Sequence, residues 1–194
     1  MDGNRHMTLV GALQVLADLR RDQVVVTTMS AAREWQRLVD HPLDFHYVPS
    51  TMGGGLALAL GIALAQPQRD VIVLSGDGSL LMNLGSLVTA TASKGHNLTV
   101  IVVDNGVYET TGGQKLVTTS CPIDLAGMAL AARFASVAEF DNLDAWKEGA
   151  AAALTQPGPR FIVLKVAPAS GDYTLDAPGP MADRIKAFRA ALEK

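Results

Sequence analysis

VIVLSGDGS (71–79) and LTVIVVDNG (98–106) are the two stretches whose reading decides the fold. Each opens as an unbroken apolar run rather than an alternating one, as expected of a strand covered on both faces. Each closes on glycine beside a side-chain oxygen, Asp77 in the first and Asn105 in the second. The spacing predicts a helix between them, from about Ser79 to Lys94, ended by Gly95. A helix of that length rises roughly 24 Å. A strand of seven residues returns about 23 Å. The two lengths cancel, so a right-handed crossover sets Asp77 and Asn105 together just past two strand ends.

The remaining chain repeats this alternation. A helix is expected over Met7–Leu19 with Thr8 as its cap, then a strand at Gln23–Thr27 and a helix around Ala31–Val39. Phe45–Val48 reads as extended and Leu56–Ala65 as a helix of small residues. After Asn105 come a helical stretch, a short strand near Phe134–Val137, a helix at Leu143–Leu154, a strand at 161–166 and a terminal helix from about Met181. Strands alternating with helices imply an α/β fold, a three-layer αβα sandwich around a mostly parallel sheet. Ligands in such sheets collect at the carboxyl ends of the strands.

Composition narrows the function. Of 194 residues, 48% are hydrophobic and 5% aromatic, enough chain for one domain with a sizeable core, taken as 7–194. The net charge of −3 and the lack of a basic cluster argue against nucleic acid and anionic membranes. No segment is apolar for long enough to span a bilayer, and no signal-peptide pattern opens the chain, so a cytoplasmic location is expected. Cys121 alone excludes a disulfide framework and a cysteine metal cage. The polar residues 1–6 read as an added leader outside the fold.

A carboxylate, an amide oxygen and a glycine turn able to offer a carbonyl suit a hard divalent cation. Mg²⁺ takes one or two protein carboxylates and fills its other sites with water and substrate phosphate. Gly76 and Gly78 leave room for phosphate near the backbone, and Ser79 opens the helix whose N–H groups would receive it. Gly-Asp-Gly also serves as an ordinary turn, and the MGGG run at 52–55 could simply start a tightly packed helix.

The combination GDGS (76–79) with DNG (104–106) resembles the GDG…NN motif of thiamine diphosphate-dependent enzymes. The resemblance implies that Asp77, Asn105 and the main-chain carbonyl of Val107 hold Mg²⁺, which clamps the cofactor's diphosphate, and that Gly78 and Ser79 contact the diphosphate itself. Asp104 departs from the Asn that many members carry first, but the ligand is the second residue of the pair. STMGGG (50–55) is similar to the family turn whose bulky apolar residue bends the cofactor. Met52 matches that residue, with the Ser50 carbonyl and the Met52 N–H at the aminopyrimidine edge and Gly53 beside them. Tyr108, Glu109 and Thr110 fall where related decarboxylases face the thiazolium ring, with a solvated loop as the other reading.

The resemblance covers most of the chain but only one half of a catalytic unit, the diphosphate-binding (PP) domain. None of Glu34, Glu109, Glu139, Glu148 and Glu193 sits in the context of the glutamate that the other (PYR) domain supplies. The long string from GDGS to Gln114 is most similar to the sulfopyruvate decarboxylase beta-subunit branch and to the second half of phosphonopyruvate decarboxylases. It implies six strands, thiamine diphosphate and Mg²⁺ as cofactors, a small 2-oxo acid as substrate, and a carboxy-lyase subunit that needs an alpha-type PYR partner. A homodimer or larger heteromer is expected. A carboligating, acetolactate synthase-like subunit and a non-catalytic cofactor-binding module are the alternatives. Glu109 would disfavour a highly anionic substrate unless protonated.

Other residues keep two readings. Thr27, Thr28 and Ser30 could bind diphosphate oxygens or cap the next helix. Arg33 could meet an anion or pair with Glu34. His46 reads as structural and Lys115 as solvated, and Met82 and Asn83 either line the pocket or pack.

Overall fold

A computed structural model describes residues 7–93, 95–169 and 178–194. The expected leader at 1–6 and the expected helix end at Lys94 lie outside the described residues. The chain runs α1 (Leu9–Leu19), β1 (Val24–Thr27), α2 (Met29–Leu38), β2 (Asp44–His46), α3 (Gly55–Ala65) and β3 (Val71–Gly76). It continues through α4 (Asp77–Leu81), α5 (Gly85–Ala92), β4 (Leu98–Asp104), a small hairpin of β5 (Val107–Tyr108) and β6 (Gln114–Lys115), and α6 (Leu125–Ala131). It ends with β7 (Ser136–Phe140), α7 (Leu143–Thr155), β8 (Arg160–Lys165) and α8 (Met181–Leu192).

Six strands form one sheet in the order β2-β1-β3-β4-β8-β7, every pair parallel. Alternate strand residues feed two cores. Val24, Val26, Val73, Val100 and Phe161 point to the layer of α3, α5, α6 and α8. Val25, Ile72, Leu74, Ile101 and Ile162 point to the layer of α1, α2 and α7, where Trp35 and Trp146 are wholly buried. The sandwich and the six strands match the sequence expectation. β2 and β3 lie on opposite sides of β1, so the connections diverge there and open a crevice at the carboxyl ends.

The helix expected over 79–94 is broken. α4 stops at Leu81 and α5 starts at Gly85. The Asn83 side chain leaves the helix path to donate to the Gly53 carbonyl at 3.0 Å, and the Asn83 main-chain carbonyl accepts from the Ser86 hydroxyl at 2.6 Å. The juxtaposition of Asp77 and Asn105 survives because sheet register sets it: Gly76 pairs with Val103, which places both residues one or two steps beyond the same sheet edge. The short strand falls at 136–140 rather than 134–137. No helix among the described residues is long and apolar enough to cross a membrane.

Candidate functional site

The loops after β1, β2, β3 and β4 enclose a solvent-open pocket at the carboxyl edge of the sheet, lined among others by Thr28, Met52, Gly76, Asp77, Asn105 and Tyr108. Asp77 is a buried carboxylate of this pocket. Its side chain is buried, with Oδ1 accepting from its neighbour Gly78 N–H at 2.7 Å and Oδ2 from Gly106 N–H at 2.7 Å. The second bond joins the β3 and β4 turns directly. Burial pushes the Asp77 carboxyl up to about 7, helped by Asp104 alongside and opposed by the two main-chain N–H bonds.

Asn105 is buried beside it, and its Oδ1 accepts from Val107 N–H at 3.0 Å, curling the loop back over the turn. The buried Asp77 carboxyl with the half-buried Asp104 alongside and the buried Asn105 amide oxygen, without a cationic side chain among the pocket residues, fit a hard divalent cation. Asp77, Asn105 and the carbonyl of Val107 are the groups that could hold it.

The glycines divide in their reasons. A Cβ on Gly76 would meet nothing within 4 Å, so that position is open to an approaching ligand. A Cβ on Gly78 would lie 2.8 Å from Tyr108 Cδ1 and closer still to Cε1. The Tyr108 ring therefore covers the Cα of Gly78.

The turn carrying Ser50 and Met52 is tied at its far end to α4. Gly53 has φ of +83°, and its N–H donates to Ser79 Oγ at 2.9 Å. That bond and the Asn83 amide fix the turn against the helix after Asp77. The Ser79 hydroxyl thus braces the Met52 turn, and the Thr28 hydroxyl donates to the Leu74 carbonyl at 3.0 Å within the sheet.

Met29 escaped the sequence reading. It opens α2 with φ of +51°, in the left-handed region where a methionine is strained. Its sulfur receives the hydroxyls of Ser50 at 3.8 Å and Thr110 at 3.9 Å, joining three loops over the pocket. Only a non-glycine residue immediately after a strand-closing Thr-Thr hinted at it.

Glu109 does not simply face the pocket. Its Oε1 accepts from Ala169 N–H at 2.6 Å, pinning the segment after β8, while its buried Oε2 has no hydrogen-bond partner. Arg33 pairs with Glu34 at 2.5 Å on α2. His46 shares a 2.9 Å hydrogen bond with Thr27 Oγ1, and burial with the nearby Arg184 charge lowers it to about 4, a neutral structural imidazole. Lys115 and Met82 are exposed.

Residues 24–164 match the family model described as thiamine pyrophosphate enzyme, C-terminal TPP binding domain. This chain belongs to that family. As a TPP-binding domain it is 40% identical over 186 residues to phosphonopyruvate decarboxylase of Streptomyces viridochromogenes, covering 93% of this chain and 46% of that protein. It is 36% identical over 188 residues to sulfopyruvate decarboxylase subunit beta of Methanothermobacter thermautotrophicus, covering 95% of this chain and 97% of that subunit. The TPP-binding domain therefore spans less than half of the Streptomyces protein and nearly all of the archaeal subunit. Its fold is shared with the crystal structure of benzoylformate decarboxylase from Polynucleobacter necessarius, with a TM-score of 0.70 at 19% identity over 86% of this chain and 34% of that one.

Proposed function

We propose that this chain is the beta-type, diphosphate-binding subunit of a thiamine diphosphate-dependent 2-oxo acid decarboxylase of the sulfopyruvate or phosphonopyruvate decarboxylase kind. The observation that carries the reading is the buried Asp77 carboxylate, held between the β3 and β4 turns beside Asn105. Mg²⁺ on Asp77, Asn105 and the Val107 carbonyl would face the diphosphate, with Gly76 leaving the approach open. The N-terminus of α2, behind Thr28, offers N–H groups without intrahelical partners to the same pocket. Met52 and Ser50 present the turn that meets the aminopyrimidine end. When bound, the cofactor supplies the electron sink for decarboxylation.

Tyr108 closes the diphosphate side over Gly78, and Glu109 ties the segment after β8 to this wall. No glutamate of the PYR type is matched here, so activity requires an alpha-type partner in the cytoplasm. The helix α3 supports such a partner: GLALALGIALA has no polar side chain, yet Leu64 stands half exposed, as do Met82 and Val88 in the neighbouring α4–α5 region.

Reconstitution tests the proposal. The chain mixed with a PYR-type partner, Mg²⁺ and thiamine diphosphate should release CO₂ from a small 2-oxo acid in a panel holding sulfopyruvate, phosphonopyruvate, pyruvate and benzoylformate. The chain alone should not. Brisk turnover by the isolated chain contradicts the half-site. Product with a new C–C bond points to carboligation, and cofactor binding without turnover with any partner points to a non-catalytic module.

A further inference from the structure

Beyond the pocket residues, the strand-exit that leads into the Met52 turn is held from outside the sheet. β2 is an edge strand, so among the described residues no strand pairs with its outer side to fix the chain as it leaves at His46. The C-terminal helix α8 takes that place. Arg184 donates through Nη1 to the His46 carbonyl, through Nη2 to the Val48 carbonyl, and through Nε to the Gly179 carbonyl at 3.1 Å. Phe188, one turn on, is buried against Phe45 with ring centroids 5.1 Å apart.

The chain enters Pro49–Met52 directly after Val48 and leaves it at Gly53, which Ser79 and Asn83 hold. The turn is thus pinned at both ends, by α8 before it and by α4 after it. A guanidinium suits the near end because its rigid fork serves carbonyls two residues apart at once. A lysine ammonium is a flexible point charge and sets no such spacing.

We propose that Arg184 is a positioning residue for the cofactor's aminopyrimidine end: it sets where Ser50 and Met52 stand relative to the diphosphate grip at Asp77 and Asn105. This rests on the thiamine diphosphate reading of the pocket. It assigns the two ends of the cofactor to two separable supports, since Arg184 touches none of the diphosphate-side residues.

Two ligands separate the ends. Calorimetric titration of the full-length chain with Mg²⁺-thiamine diphosphate and with Mg²⁺-inorganic diphosphate should show tighter binding of the whole cofactor in wild type. Arg184→Met should weaken thiamine diphosphate about tenfold or more, the scale of losing charge-assisted hydrogen bonds, while inorganic diphosphate changes by less than about twofold. Arg184→Lys should fall between, which separates loss of charge from loss of the fork. Thermal melting of each ligand-free variant checks that the sheet remains folded, and Phe188→Ala offers a second route to loosening α8 if Arg184→Met does not fold. Equal loss for both ligands, or for neither, overturns the proposal. So does a wild type that holds thiamine diphosphate no tighter than inorganic diphosphate. A wild type that binds neither ligand overturns the functional reading itself, and the positioning role with it.

Discussion

Gly78→Ala sets a new methyl against the Tyr108 ring. The added Cβ would stand 2.8 Å from Cδ1, whereas carbon atoms in contact rest ~3.5–4.0 Å apart. Because Cε1 is closer still, either the ring or the first turn of α4 must retreat by more than about 1 Å. Overpacking of this kind costs about 1–3 kcal/mol. The strain also reaches the carboxylate, because the Gly78 N–H donates to Asp77 Oδ1. In a Tyr108→Ala background the three ring atoms nearest the methyl are gone, and alanine's better helix propensity leaves it neutral or stabilising by up to about 1 kcal/mol. Urea unfolding of wild type, both single variants and the double variant gives the coupling between positions 78 and 108. A coupling of about 1–4 kcal/mol is expected. If Gly78→Ala costs the same in both backgrounds, the ring does not occupy that space and the reasoning fails.

Asp77→Asn should change the pH dependence of stability in the metal-free protein. The Asp77 carboxyl sits near 7 when folded and near 4 when unfolded, so folding favours its protonated form. Its contribution is present below about pH 4 and is lost as pH rises toward about 7. Melting temperatures from pH 4.5 to 7.5 should fall more in wild type than in the Asn variant; parallel curves would contradict the buried carboxyl. Met29→Gly should be more stable than Met29→Ala by about 1 kcal/mol, since only glycine accepts the left-handed backbone without strain. Equal stability in denaturant would show the strain is absent. Val88→Glu, on the exposed face of α5, should leave folding within about 0.5 kcal/mol of wild type yet reduce co-elution with a PYR-type partner. Unchanged co-elution would move the partner surface elsewhere.

The sheet was legible because 71–74, 100–103 and 161–164 are unbroken apolar runs, apolar on both faces, a pattern that few other placements satisfy. Asp77 and Asn105 were legible because each comes within two residues of the end of such a strand, and parallel register brings both to the same sheet edge. What stayed hidden depends on contacts distant in sequence. The break at 82–84 arises from Asn83 reaching Gly53, thirty residues back, and local helix propensity carries no trace of it. Arg184 meets His46 across 138 residues, and on α8 it looks like any solvated arginine. Met29 takes a left-handed backbone and gathers two hydroxyls from distant loops, conditions no residue-level preference records. Glu109 was expected beside the reacting atoms; its bond to Ala169 came from a segment whose path the sequence left unspecified.

Whether this chain grips a diphosphate through a divalent cation is tested most directly by calorimetric titration of thiamine diphosphate into the wild-type chain, Asp77→Ala and Asn105→Ala, each with Mg²⁺ and with EDTA. Saturable binding by wild type that requires Mg²⁺ and falls by at least about tenfold in both variants is the predicted result. Binding that persists unchanged in EDTA, or in Asp77→Ala, would contradict the account.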